Sequence, residues 1–186
     1  MSPDGFVVTS AHVVSGCRSL AVFGADGRAR PSYPVAADPR RDIALLWTDG
    51  RLPGQAAVAA RTPPHAGEDV FTLGFGIMAD RPLSPVVSRG SLVGDGTARP
   101  GNRVLVIRAR LQAGNSGGAL LDGEGALLGM IIGRDEQDPD RGVAIPSADI
   151  EALLAAYGIV LPSRDAGRDA RARLGAISVL IQCAPP

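Results

Sequence analysis

The segment Gly114-Asn115-Ser116-Gly117-Gly118 places a hydroxyl between glycines on both sides. Glycine lets the chain turn sharply and lets a substrate come close. Such a turn also aims successive backbone N–H groups into one pocket, as stabilisation of an oxyanion requires. A serine needs an adjacent base before it becomes a nucleophile, and the chain offers two histidines. His12 ends the strand-like run Val7-Val-Thr-Ser-Ala-His12, whereas His65 lies in the proline-rich stretch Arg61-Thr-Pro-Pro-His-Ala-Gly67 and reads as an exposed linker residue. Asp42 directly precedes Ile43-Ala-Leu-Leu-Trp47. Its carboxylate is thus carried at the mouth of an apolar strand, where a buried acid can fix an imidazole tautomer and stabilise the imidazolium.

Taken singly, each has a plainer reading: a glycine-rich hairpin for Ser116, a structural histidine for His12, a strand-initiating turn for Asp42. Together they stand in the order His, Asp, Ser, with two in one half of the chain and the third in the other. That arrangement favours a hydrolytic triad at a cleft between two halves. The pattern G-x-S-x-G also fits the elbow of α/β-hydrolases, but that fold places its histidine after the serine. Both histidines here lie upstream of Ser116, and no βαβ alternation is present.

Composition narrows the field. The 19 basic and 19 acidic residues balance, so no long-range field draws the chain to nucleic acid or anionic lipid. Every basic residue is Arg, scattered and with few aromatics between, unlike a nucleic-acid binder. Two cysteines and two histidines make a metal centre improbable, and neither metal nor cofactor is expected. No run has the length of a membrane-spanning helix, and the first residues lack the basic-then-apolar pattern of an export signal.

The elements that must position the triad read as all-β. The 24 glycines and 15 prolines punctuate short apolar runs at close spacing. Strands are expected at Phe6–Thr9, Leu20–Phe23, Ile43–Trp47, Val70–Leu73, Val86–Val93, Arg103–Arg108, Ala126–Ile132 and Gly142–Ile145. Several are continuously apolar, which suits strands curling in a barrel. The prolines of 61–67 divide the chain into a first unit, 1–60, and a second, 68–146. A helix over 147–158 is expected, with Ser147 as N-cap and Ile150, Leu153, Leu154 and Tyr157 on one face. In the tail, 159–186, Ile177, Val179, Ile181 and Cys183 alternate with other residues as a final strand would.

The segments Asp4-Gly-Phe-Val-Val-Thr-Ser-Ala-His-Val-Val14, Asp42-Ile-Ala-Leu-Leu46 and Leu111-Gln-Ala-Gly-Asn-Ser-Gly-Gly-Ala-Leu120 resemble the three signature blocks of HtrA/Deg-type trypsin-like serine peptidases. Gly142-Val-Ala-Ile-Pro146 resembles the strand before that family's C-terminal helix. The resemblance covers roughly residues 4 to 157. It implies a chymotrypsin-like double β-barrel, hydrolysis of peptide bonds in polypeptide substrates, and an extracytoplasmic setting. It assigns His12, Asp42 and Ser116 to the triad and the Gly114, Asn115 and Ser116 loop to the oxyanion hole. Leu111, Met130, Ile131 and Ile132 fall on the family's substrate-binding segments, so cleavage after small or medium aliphatic residues is expected.

Two departures from the family pattern carry expectations of their own. Family members have a strand ahead of the histidine segment where Met1 already stands, so the first barrel is expected to be short of one to two strands. The family's usual PDZ domain has no counterpart, and a short tail stands in its place. Relatives with Gly-Cys-Arg after the histidine block often end in a strand carrying Cys, which suggests a Cys17–Cys183 disulfide. The rival to an active enzyme is a protease-fold peptide-binding module whose triad is impaired.

Overall fold

The computed structural model describes residues 1–76, 85–99, 101–135, 137–162 and 169–186. The apolar runs of the first half build one curled sheet from β1 (Phe6–Thr9), β2 (Ser19–Phe23), β3 (Ala29–Asp38) and β4 (Ile43–Thr48). A short helical turn, α1 (Ala11–Val14), follows β1. Strand β3 is an element that the sequence pattern does not announce, because it contains Pro31 and Pro34. The sheet accommodates Pro34 at a register shift between Pro34 and Ala36, the kind of irregularity where a missing N–H costs no ladder bond. The strand order is β1-β4-β3-β2, and the C-terminal strand β11 (Leu180–Ala184) adds to the outer edge of β2. The result is a five-stranded half-barrel, open between β1 and β11.

The second half closes. Strands β5 (Asp69–Gly74), β6 (Val86–Arg99), β7 (Asn102–Ala109), β8 (Ala119–Leu121), β9 (Leu127–Arg134) and β10 (Arg141–Pro146) form a six-stranded barrel in the order β10-β7-β6-β5-β8-β9. Val70, Leu92, Leu105, Ile107, Leu120, Leu128 and Ile131 fill its interior. Residues 61–67 contribute no strand or helix and join the two units.

Helix α2 (Ser147–Ala156) buries Ile150 and Leu154. It differs from expectation at both ends. Pro146, not Ser147, occupies the cap position and offers no side-chain acceptor to the helix N–H groups, and Tyr157 lies past the last helical turn, 49% exposed. A third helix, α3 (Ala170–Ile177), is not announced by the sequence pattern; the Asp169 carboxylate caps it by accepting from the Arg171 and Ala172 N–H groups. Ile177 therefore ends a helix, and the final strand starts at Leu180. Leu174 and Ile177 enter one apolar cluster with Ile43 and Leu45 of β4, Leu121, Leu127 and Met130 of the closed barrel, and Ile150 and Leu154 of α2. That cluster joins the two units.

Candidate active site

The apolar strand β1 delivers Thr9 and Ser10 to the junction of the two units, fully enclosed, with His12 one turn further on and exposed. The Ser10 hydroxyl donates to the Ile131 carbonyl of β9 at 3.2 Å, which fastens the histidine segment to the closed barrel. Strand β4 delivers Asp42 from the other side. Asp42 is in the left-handed region at φ +57°, alone among the described non-glycine residues. Aspartate tolerates that conformation better than most residues. Its main chain and side chain both serve the histidine segment. Its carbonyl accepts from the Ala11 N–H at 3.2 Å, Oδ1 accepts from the His12 N–H at 2.9 Å, and Oδ2 lies 2.7 Å from the His12 Nδ1. Such a bond fixes Nδ1 as the protonated nitrogen and leaves Nε2 free to accept. The carboxylate is less enclosed than the sequence suggests, its side chain being 24% exposed and that of His12 50%.

Ser116 sits in the loop between β7 and β8, half-buried. The loop is held by its own amides. Asn115 N–H donates to the Gln112 carbonyl at 3.2 Å, and the Gln112 N–H donates to Asn115 Oδ1 at 2.9 Å. Gly117 N–H donates to the Ile131 carbonyl at 2.8 Å, and Gly118 N–H to the Asn115 carbonyl at 2.8 Å. The N–H groups of Gly114 and Ser116 meet no acceptor among the described residues. Asn115, expected beside them in the oxyanion hole, braces the loop with its N–H and Oδ1 on Gln112, while its buried Nδ2 meets no partner among the described residues. At Gly114 φ is +92°, and at Gly117 it is +80°, both in the region that glycine favours. A Cβ on Gly117 would overlap the Thr9 hydroxyl, so the serine loop and the histidine strand pack in direct contact.

Ser116, Gly114, Gly117 and His12 line one cleft of about 950 Å³ that runs between the units to β11. Within the described residues no hydrogen bond joins Ser116 to His12. Of the four residues expected to bind substrate, Met130 lines this cleft and Ile132 lines a second cleft on the far side of His12. Leu111 and Ile131 do not: at 4% and 0% exposure they belong to the interior of the closed barrel. The continuous apolar character of Gly129–Gly133 hides this division, since residues 127–131 are all buried whichever way they face. His65 is exposed and remote from the clefts. No group of three or more potential metal ligands occurs among the described residues. Cys17 and Cys183 are joined as a disulfide with Cα atoms 5.4 Å apart, which pins β11 beside the start of β2, five residues beyond His12.

Thr9 and Ser10, which the residue pattern does not mark, dock the two halves of the site. Their signal was small hydroxyl side chains at the buried end of an apolar strand, where a polar residue needs a partner.

A closed barrel beside a curled half-barrel, with an imidazole–carboxylate pair and a glycine-flanked serine at one cleft, is the double-barrel architecture of the chymotrypsin-like fold. The family model for the trypsin-like peptidase domain matches residues 1–130, and the chain belongs to that family. Serine protease Rv3671c of Mycobacterium tuberculosis is 33% identical over 170 residues, covering 87% of this chain and 42% of the relative. The serine protease Do-like HtrA of Bacillus subtilis is 30% identical over 159 residues, covering 80% and 35%. The chain thus spans less than half the length of these curated relatives. Among solved structures, the active form of Rv3671c superposes with a TM-score of 0.73 at 28% identity, over 90% of this chain and 75% of that one. The serine endoprotease of Yersinia pestis gives 0.71 at 28% identity, over 84% and 54%.

Proposed function

We propose that the chain hydrolyses peptide bonds with Ser116 as nucleophile, His12 as general base and then acid, and Asp42 as the group that orients the imidazole. The carrying observation is the Asp42–His12 hydrogen bond at 2.7 Å, opening on the same cleft as Ser116. Ser116 Oγ attacks the scissile carbonyl while His12 Nε2 accepts its proton, and the imidazolium later returns the proton to the leaving amine. The unbonded N–H groups of Gly114 and Ser116 receive the developing oxyanion; loss of one such donor costs about 3 kcal/mol of transition-state stabilisation. The substrate lies as an extended strand along the outer edge of β9. No charged side chain occurs between Gly129 and Gly133, which supports cleavage after small or medium aliphatic residues. The disulfide supports an oxidising, extracytoplasmic compartment.

An active-site fluorophosphonate probe tests this reading. Labelling of the parent but not of Ser116→Ala is the expected result. Folded parent protein that resists the probe, yet binds peptides, would instead establish the peptide-binding module.

A further inference from the structure

The second cleft, of about 800 Å³, begins at the far side of His12 and Asp42 and continues along β9 past Ile132 and Gly133 to Arg134. Four guanidiniums line it, from Arg40, Arg41, Arg103 and Arg134, against two carboxylates, Asp42 and Asp149. In a chain of zero net charge this is a local concentration of positive charge. Both carboxylates are occupied: Asp42 by His12 and Asp149 by Arg41, with Nε 3.2 Å from Oδ1. Arg41 also bonds Asp38 at 2.9 Å, and Arg103 holds Asp95 through two bonds of 3.0 Å. Arg40 and Arg134 form no ion pair with any described residue. Among the described acidic residues of the β9–β10 turn, Asp135, Asp138 and Asp140 lie outside the cleft lining, and Asp135 faces Arg141 at 3.9 Å.

The backbone at Arg134 is equally available. Asp135 N–H donates to the Arg141 carbonyl of β10 at 2.8 Å. By the two-residue period of a strand, the N–H and C=O of Arg134 point the opposite way, toward the cleft. Strand β8 has ended by then, its pairing with β9 stopping at Met130. An extended peptide laid antiparallel on this edge, with its scissile bond at Ser116, runs from Ile131 toward Arg134 in its upstream direction. A residue facing Arg134 across such a pair places its side chain about 5 Å from that of Arg134, on the same face.

We propose that this cleft selects an acidic side chain upstream of the cleaved bond, with Arg134 and Arg40 as its charge partners. The inference rests on the peptidase reading above, in that it assumes a peptide seated with its scissile bond at Ser116. It adds a sequence requirement that the aliphatic preference at the cleaved residue does not contain.

The test is fluorescence anisotropy of labelled peptides on the Ser116→Ala chain, which needs no turnover. A neutral peptide with Leu at the cleaved position is compared with versions carrying one Glu at successive upstream positions, one Glu downstream, or one upstream Lys. One upstream Glu should tighten binding about fivefold, the upper range for a solvent-accessible ion pair. The gain should fall with salt and vanish in Arg40→Ala/Arg134→Ala. Arg134→Glu should turn the preference toward the Lys peptide, which a merely misfolded variant would not do. Equal gains from upstream and downstream Glu, or a gain that survives loss of both arginines, would overturn the proposal. Cleavage of the neutral peptide by the parent, without any upstream preference in binding, sinks this inference alone. Failure of every peptide to bind sinks both it and the seating of substrate on β9.

Discussion

Ser116 is carried by a barrel whose six strands close on one another, whereas His12 and Asp42 are carried by a five-stranded sheet whose outer strands, β1 and β11, each have a single partner. In a closed barrel every strand has two partners, and the Ser116 loop is further held by hydrogen bonds within itself and to β9. An open sheet needs other devices. Here the described devices are the Cys17–Cys183 bond, the α3 helix wedged into the shared core, and the Ser10 hydroxyl on the Ile131 carbonyl. The comparison teaches that the half carrying Ser116 should be the sturdier one, and that the half carrying His12 is held largely by contacts to its neighbour and its tail.

The largest effect should come from the Asp42–His12 bond, on which the proposed chemistry of the open half depends. Asp42→Asn keeps the size of the side chain and suits the left-handed backbone at φ +57°. It removes the acceptor that selects the His12 tautomer. Turnover should fall about 10⁴-fold with the fold intact, read as kcat beside the thermal unfolding curve. A loss below tenfold would detach Asp42 from the chemistry.

Next in size is the disulfide. Closing a loop between residues 166 apart contributes up to about 4–5 kcal/mol in the chain-entropy picture. Reduction, or Cys183→Ser, should lower the unfolding midpoint and strip amide protection from β11 and β2 while β5–β10 keep theirs. Uniform loss of protection across both sheets would mean that the two units unfold together and that the distinction drawn above does not hold. Core truncation in the closed half provides the counterpart. Leu120 is fully buried within it, and Leu120→Ala should cost about 2–5 kcal/mol, with loss of protection in both units because their shared cluster rests on the barrel.

Much of this division was legible from residue order. The apolar runs place β1, β4, β5, β7 and β10 within a residue or two, and of the three residues singled out, the structure pairs His12 with Asp42 and puts His12 and Ser116 on one cleft. What escaped has identifiable causes. Pro31 and Pro34 masked β3, because a proline at a bulge cannot be told from a proline in a loop without the partner strand. The helix α3 was obscured by its run of Ala170-Arg-Ala-Arg173, which has little apolar contrast until Leu174 and Ile177 dock on the other unit. The tail's pairing with β2 is a contact between distant residues, and alternation in Val179, Ile181 and Cys183 could suggest a strand but not its neighbour. At the site, Leu111 and Ile131 read as pocket lining because apolar residues of a barrel interior and of a binding cleft have the same composition.

The smallest effect concerns how the open sheet keeps its far hairpin in register. Between β2 and β3, Arg30 holds Asp26 in a two-pronged contact, with Nη1 to Oδ1 at 3.0 Å and Nη2 to Oδ2 at 2.6 Å, while its Nε donates to the Arg51 carbonyl at 3.0 Å. The side-chain hydrogen bond from Arg30 is the main cause that lowers the Asp26 carboxyl from 3.8 to about 2. A carboxyl lowered on folding stabilises the folded state above its unfolded value and ceases to do so as pH falls through its folded one. The stability difference between parent and Asp26→Asn should therefore stay level from neutral pH down to about 4, then shrink, and be gone near pH 2. Urea midpoints for both proteins across that range measure it. The difference should be small throughout, because the pair lies at the surface. A difference that stays level down through pH 2 would show that the hairpin is held by its backbone ladder and that Asp26 serves only as a turn residue.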